Sequence, residues 1–216
     1  MAFFGPITFL VAALLTIYTS QILMANSLGV TVSAAHRVAA TLFSFTVLCG
    51  DPLVQAGQAF MPEHIIKPSK EDARKMAMIL FQFGLFTAAV CSSSFAAFCY
   101  LGATVFTTDA AVIASLHRVV LPMSAAVVAN ILSKSLYGVM VAARALNFLA
   151  GLTAIGLVGF GLAMRHLDSH VFGHAKYSYI WWITFAYYGL AVLVLFARIN
   201  GIAFKSILRD DAPVRA

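Results

Sequence analysis

The sequence predicts an all-α polytopic membrane protein, a bundle of six transmembrane helices. Three observations predict it. Of 216 residues, 62% are hydrophobic and only 10% are charged, with a mean hydropathy of +0.92. A water-soluble domain of this size needs more polar surface than that. The apolar residues fall into runs long enough to cross a bilayer, which takes roughly 20 residues per helix. Polar connections of ordinary loop length separate those runs. In hydrocarbon every backbone donor and acceptor must be satisfied within the chain, so such runs read as helices.

Six spans are expected, at 7–28, 38–60, 76–102, 112–142, 146–165 and 178–199. Residues 1–205 form one membrane unit, and 206–216 a short polar tail. The first span starts almost at Met1, with no basic lead and no Arg/Ser-rich amphipathic stretch. It reads as a span rather than a secretory signal or a transit peptide. So abrupt a start raises the expectation of a fragment of a longer protein. The second span runs into "CGDPLVQAGQAFMPEH", where Pro52 removes a backbone donor and is expected to kink the helix. The third ends at "FTTDA", read as a tight turn. The fourth is long and carries Pro122, a second expected kink. The fifth connection, "HLDSHVFGHAKYS", places His166, His170 and His174 four apart with Asp168 nearby. Gly173 and the loop position argue against a regular helix there, so these are read as solvated histidines and no metal site is expected.

An even number of spans puts both termini on one side. That side collects Lys67, Lys70, Arg74, Lys75, Arg144, Arg198, Lys205, Arg209 and Arg215. The opposite side has Arg37, Arg118, Arg165 and Lys176. The excess of Lys and Arg places both termini in the cytoplasm or the equivalent organelle interior, such as a stroma. The net charge of +6 therefore reports orientation. No basic cluster with interleaved aromatics marks a nucleic-acid partner. Cys49, Cys91 and Cys99 lie in apolar runs and read as small hydrophobes. No Ser/His/Asp order, phosphate-binding glycine loop or HExxH helix is present, and no enzyme is expected.

The polar groups at membrane depth carry the function. Thr41, Ser44, Asp51, Gln55 and Gln58 follow steps of 3, 7, 4 and 3, which keeps them on one helical face. A polar face cannot meet lipid and must meet other helices or a water-filled path. Pro52 leaves the carbonyl of Leu48 without its helical donor, and a free carbonyl near a carboxylate makes a cation or proton site. Asp51 is the group expected to take up and release the ion. Gln55 and Gln58 serve equally well as helix–helix glue. Asn130, Lys134 and Tyr137, at steps of 4 and 3, form a second polar face in the fourth span. Lys134 needs a partner or a route to water, and Asp51 is the natural partner; snorkelling to an interface is the alternative. Gln21 and Asn26 read as contacts between helices.

These residues also carry a resemblance. "AAHRVAATLFSFTVLCGDPLVQAGQAFMPE" resembles the eighth-span region of multidrug and toxic compound extrusion (MATE) transporters. "VFTTDAAVI", "LHRVVLPMSA" and "YGVMVAARALNF" follow in the family's order and spacing, and the wording "PLVQAGQAFMPE" is most like the plant plastid-envelope branch. The resemblance implies one six-span lobe, the C-terminal one, of a twelve-span fold. It implies a secondary antiporter that exports organic solutes in exchange for protons or sodium ions, without a bound cofactor. It implies a missing N-terminal lobe or a second chain as partner, besides the lipid bilayer. A plastid envelope is the implied membrane, with plasma or vacuolar membranes as alternatives. Asp51 holds the family's acidic position in this span. Tyr137 and Ala145 stand where many relatives are acidic, and Lys134 is unlike the relatives. A central lysine favours an anionic substrate. The contrasting expectation is a truncated, non-transporting fragment.

Overall fold

The computed structural model describes residues 4–66, 70–170 and 175–201. The chain folds as α1 (Phe4–Ser27), α2 (Val30–Leu48), α3 (Asp51–Ile66), α4 (Lys70–Leu101), α5 (Ala103–Phe106), α6 (Ala110–His117), α7 (Val120–Ala142), α8 (Leu146–His170) and α9 (Ala175–Asn200). Among the described residues, six segments are long and apolar enough to cross a membrane: α1, α2 with α3, α4, α7, α8 and α9. The all-α polytopic fold class is borne out. The tail 206–216, His174 and the basic residues Lys67, Lys205, Arg209 and Arg215 lie outside the described residues.

Both prolines act four residues upstream of themselves. A proline nitrogen cannot donate to the carbonyl of residue i−4, and its ring crowds that carbonyl. For Pro52 that residue is Leu48, the last of α2. For Pro122 it is Arg118, which caps α6 before α7 begins at Val120. So Pro52 and Pro122 each lie in the first turn of a new helix, where a missing donor costs least. The expected kinks are breaks, at Cys49–Gly50 and Arg118–Val119. Pro62, in contrast, is accommodated inside α3.

The "FTTDA" turn forms as expected. Thr107 is extended, and the Asp109 carboxylate caps α6 by accepting from Ala111 N at 2.8 Å. The turn between α7 and α8 places Arg144 at φ 54, a left-handed position rarely taken by a side-chain-bearing residue. Arg144 N donates to Val141 O at 2.9 Å and Ala145 N to Met140 O at 3.0 Å, the paired bonds of a Schellman end.

α7 is the axis of the bundle. Within its apolar window 67% of residues are buried, whereas no other span exceeds 28%. Its main neighbours are α3, α4 and α9. Small residues make those approaches. A Cβ on Gly57 would lie 2.8 Å from the Gly138 carbonyl carbon, and one on Gly138 would lie 2.7 Å from Val54 O. Backbones of α3 and α7 therefore touch, a contact driven by close van der Waals packing where water supplies no hydrophobic force. Towards the end of the bundle that carries the α1–α2 turn, Trp181 packs on Phe43 and His36, with ring centroids 5.3 and 5.5 Å apart. At the other end Met61, Leu136, Met140 and Leu149 close the core. Phe45, Phe83, Phe86, Leu121, Ile155 and Leu193 face outward, as a lipid-facing surface requires.

Candidate functional site

The break at Cys49–Gly50 builds the site. It leaves the last carbonyls of α2 and the first residue of α3 side by side, opposite the middle of α7. Lys134 reaches across from α7 and fills the gap. Its ammonium donates to Asp51 Oδ1 in a short ion pair and to Val47 O at 2.9 Å. Each charge is also placed well for a helix end. The cation sits at the negative C-terminus of α2, and the carboxylate lies in the first turn of α3.

Gly50 is what lets the lysine through. A Cβ there would come within 2.8 Å of Lys134 Cδ and 3.5 Å of its Cβ. Any larger residue at the break displaces the lysine stem. Of the two readings open for Lys134, pairing with Asp51 or snorkelling to an interface, the structure forms the pairing. The backbone oxygen that joins it belongs to Val47, one residue before the Leu48 carbonyl that Pro52 leaves without a donor.

Asp51, Asn130, Lys134 and Tyr137 all line one cavity of about 340 Å³, with Ser133, Thr153, Tyr187 and Tyr188 as further polar walls. Asn130 is only 2% exposed, and its Oδ1 makes no hydrogen bond. The Tyr188 hydroxyl lies within hydrogen-bonding reach of Asn130 and Tyr18. Ser133 turns its hydroxyl back to Asn130 O at 2.7 Å.

The break interrupts the expected polar stripe of the second span, leaving Thr41 and Ser44 on α2 and Asp51, Gln55 and Gln58 on α3. Asp51 is reached by Lys134 from α7 with its side chain still 45% exposed, and Ser44, Gln55 and Gln58 are exposed on the outside of the six-helix unit. Thr41 and Ser44 satisfy their hydroxyls on the carbonyls of Arg37 and Ala40 in their own helix. Gln21 and Asn26 do join helices: Gln21 Nε2 donates to Thr184 Oγ1 between α1 and α9, and Asn26 Oδ1 accepts from Ser33 Oγ at 2.6 Å.

Sequence reasoning missed Gly50, the Val47 carbonyl, Ser133, Thr153, Tyr187 and Tyr188. The adjacent tyrosines in an otherwise apolar sixth span were the available signal, since a buried tyrosine hydroxyl seeks a partner. Gly50 and Val47 carried no signal, because their part depends on where Lys134 arrives.

Fold and site together define a polytopic helical membrane protein with an ion pair set into a broken span. The chain is similar to Protein DETOXIFICATION 47, chloroplastic, of Arabidopsis thaliana, with 28% identity over 156 residues. The match covers 71% of this chain and 29% of that protein's length. It supports the MATE family resemblance. No family model matches the chain, and no solved structure does.

Proposed function

We propose that the chain is the C-terminal six-span lobe of a secondary antiporter, one that exports organic solutes in exchange for protons or sodium ions. The observation that carries this reading is the Asp51–Lys134 pair at the break between α2 and α3. Broken spans in transporters commonly present unwound carbonyls and helix ends to the coupling ion. Here a carboxylate and a carbonyl already face one another around a cation. A transport cycle opens the pair, exposing Asp51 to the coupling ion, and closes it again. The anion preference expected of Lys134 depends on that opening, because in the closed geometry Asp51 neutralises the ammonium. The exposed Ser44, Gln55 and Gln58 then belong to the wall of a solute path between this lobe and a second one. A plastid envelope is the proposed membrane, with both termini on the stromal side.

The test uses proteoliposomes holding the chain with and without a co-expressed N-terminal lobe. Uptake of anionic, neutral and cationic dyes is followed under imposed proton or sodium gradients. Gradient-driven uptake that Asp51→Asn abolishes supports the reading. Uptake and pH dependence left intact by Asp51→Asn overturn the coupling role.

A second reading is favoured by the 29% coverage of the relative. In it the six-span unit does not transport alone and acts only when paired with another chain. Dye uptake that requires the second lobe separates the two.

A further inference from the structure

The cavity beside the ion pair has two unlike ends. Its walls come from α1, α3, α7, α8 and α9. One end is a rim of Ile7, Val11, Ile155 and Leu190, which are between 50% and 73% exposed on the lipid-facing side of the bundle. The other end is polar, made by the half-exposed Asp51, by Lys134 and by the buried Asn130 and Tyr188. Everything between is mainly aliphatic.

The polar end carries no net charge, since the Lys134 ammonium and the Asp51 carboxylate cancel. It is nonetheless short of hydrogen-bond partners. Lys134 has three N–H donors and uses two, on Asp51 and Val47 O. Asn130 Oδ1, on a residue 2% exposed, makes none. Unmade hydrogen bonds on buried polar groups are costly, so their presence in a lined cavity points to a missing ligand.

We propose that this cavity binds a neutral, largely apolar molecule with a terminal hydroxyl, taken up from the bilayer through the gap between α1, α8 and α9. A hydroxyl suits the polar end because it donates and accepts at once. It donates to Asn130 Oδ1 and accepts from the third N–H of Lys134. A carboxylate in the same place meets Asp51 without a net positive charge to hold it, and an ammonium meets Lys134. Either one must be desolvated without a counter-charge. The ligand's chain lies along the aliphatic walls, which suit it as well as lipid does. The binding rests on the membrane-spanning fold and not on antiport. The site shares Asp51 and Lys134 with the proposed coupling site, so an occupied cavity bears on the opening of the pair.

The test is photolabelling of the purified chain in phosphatidylcholine nanodiscs at neutral pH. The probes are a diazirine-bearing dodecanol and the matching dodecanoic acid and dodecylamine. The expected result is saturable labelling of residues 7–14 and 149–156 by the alcohol, competed by unlabelled dodecanol. Labelling by the acid and the amine should be weaker by roughly tenfold, the equivalent of one uncompensated polar contact. Asn130→Leu should reduce the alcohol's labelling and its preference over the acid. Ile155→Trp, on the exposed rim, should block entry without touching the polar end, and serves if Asn130→Leu fails to fold. Labelling that does not saturate, or that Ile155→Trp leaves unchanged, means lipid-surface contact only and overturns the site. Equal or better labelling by the acid or amine overturns the neutral-hydroxyl chemistry. Because the assay reads binding without transport, its failure is distinct from an intact gradient response in Asp51→Asn.

Discussion

At the scale of the residue, Lys134 decides how the centre of the bundle is charged. Its side chain is 20% exposed and that of Asp51 is 45% exposed, so the pair is only partly withdrawn from solvent. Removing one member of a fully buried pair costs about 3–5 kcal/mol, and a surface pair contributes about 0–1 kcal/mol. The intermediate exposure places Lys134→Met or Asp51→Asn at about 1–3 kcal/mol of destabilisation. The double variant should recover part of that loss, since no uncompensated charge is left behind. Thermal unfolding in detergent of the four proteins in the cycle checks this, and additive losses would show that the two side chains do not interact. Arg144 offers a second residue-scale expectation. Its left-handed φ of 54 tolerates glycine and penalises branching at Cβ. Arg144→Val should cost about 1–2 kcal/mol, whereas Arg144→Gly should leave stability nearly unchanged. Equal behaviour of the two variants in unfolding would mean that the turn adjusts.

At the scale of the element, the two broken spans share one cause. Pro52 and Pro122 were legible in the sequence as interruptions of their spans. A kinked but continuous helix was the expectation. In the structure the chain stops and restarts, because two residues of turn relieve the ring–carbonyl clash more fully than a bend does. That difference matters for the polar stripe. Steps of 3, 7, 4 and 3 share a face only along an unbroken helix. The turn at Cys49–Gly50 resets the phase between Ser44 on α2 and Asp51, Gln55 and Gln58 on α3; within α3, Asp51 is met by the incoming Lys134 while Gln55 and Gln58 stay exposed. The contact between α3 and α7 fixes that phase. Gly138→Ala sets a methyl 2.7 Å from Val54 O, a backbone atom that cannot rotate away. The two helices must separate, at about 1–3 kcal/mol for overpacking, and Lys134, one turn away, should lose its grip on Asp51. A lowered unfolding temperature together with loss of the Asp51–Lys134 coupling energy is the expected outcome. Lower stability with the coupling unchanged would confine the effect to packing.

At the scale of the whole molecule, the outer surface is mixed. Large aliphatic and aromatic side chains cover most of it, as in Phe83, Phe86, Ile155 and Leu193. The face of α2 and α3 differs, carrying Thr41, Ser44, Gln55 and Gln58 exposed at membrane depth. Lipid is a poor neighbour for glutamine. If a second lobe or an aqueous path lies against that face, Gln55→Cys and Gln58→Cys should react with a water-soluble maleimide in native membranes, and Phe83→Cys should not. Equal, slow reaction at all three positions would place the face in lipid.

Composition and run length by themselves determined the class, because a bilayer admits few solutions for a chain with so little charge: helices of fixed minimum length, with polar groups turned from lipid. They also picked out Asp51 and Lys134, since an ionised group at membrane depth stands out in any apolar run. Their pairing was one of two open readings, beside snorkelling of Lys134 to an interface, and the structure decided for it. What only the tertiary structure decided was the phase and distance of groups far apart in the chain. Whether Asn130 and Tyr188 share a cavity, whether Gly50 clears a path for a lysine 84 positions later, and whether Gln55 points in or out all depend on how α3 and α9 seat against α7. Those placements follow from close contacts such as Gly57 on Gly138, a matter of ångströms between backbones that no pattern along a single helix encodes.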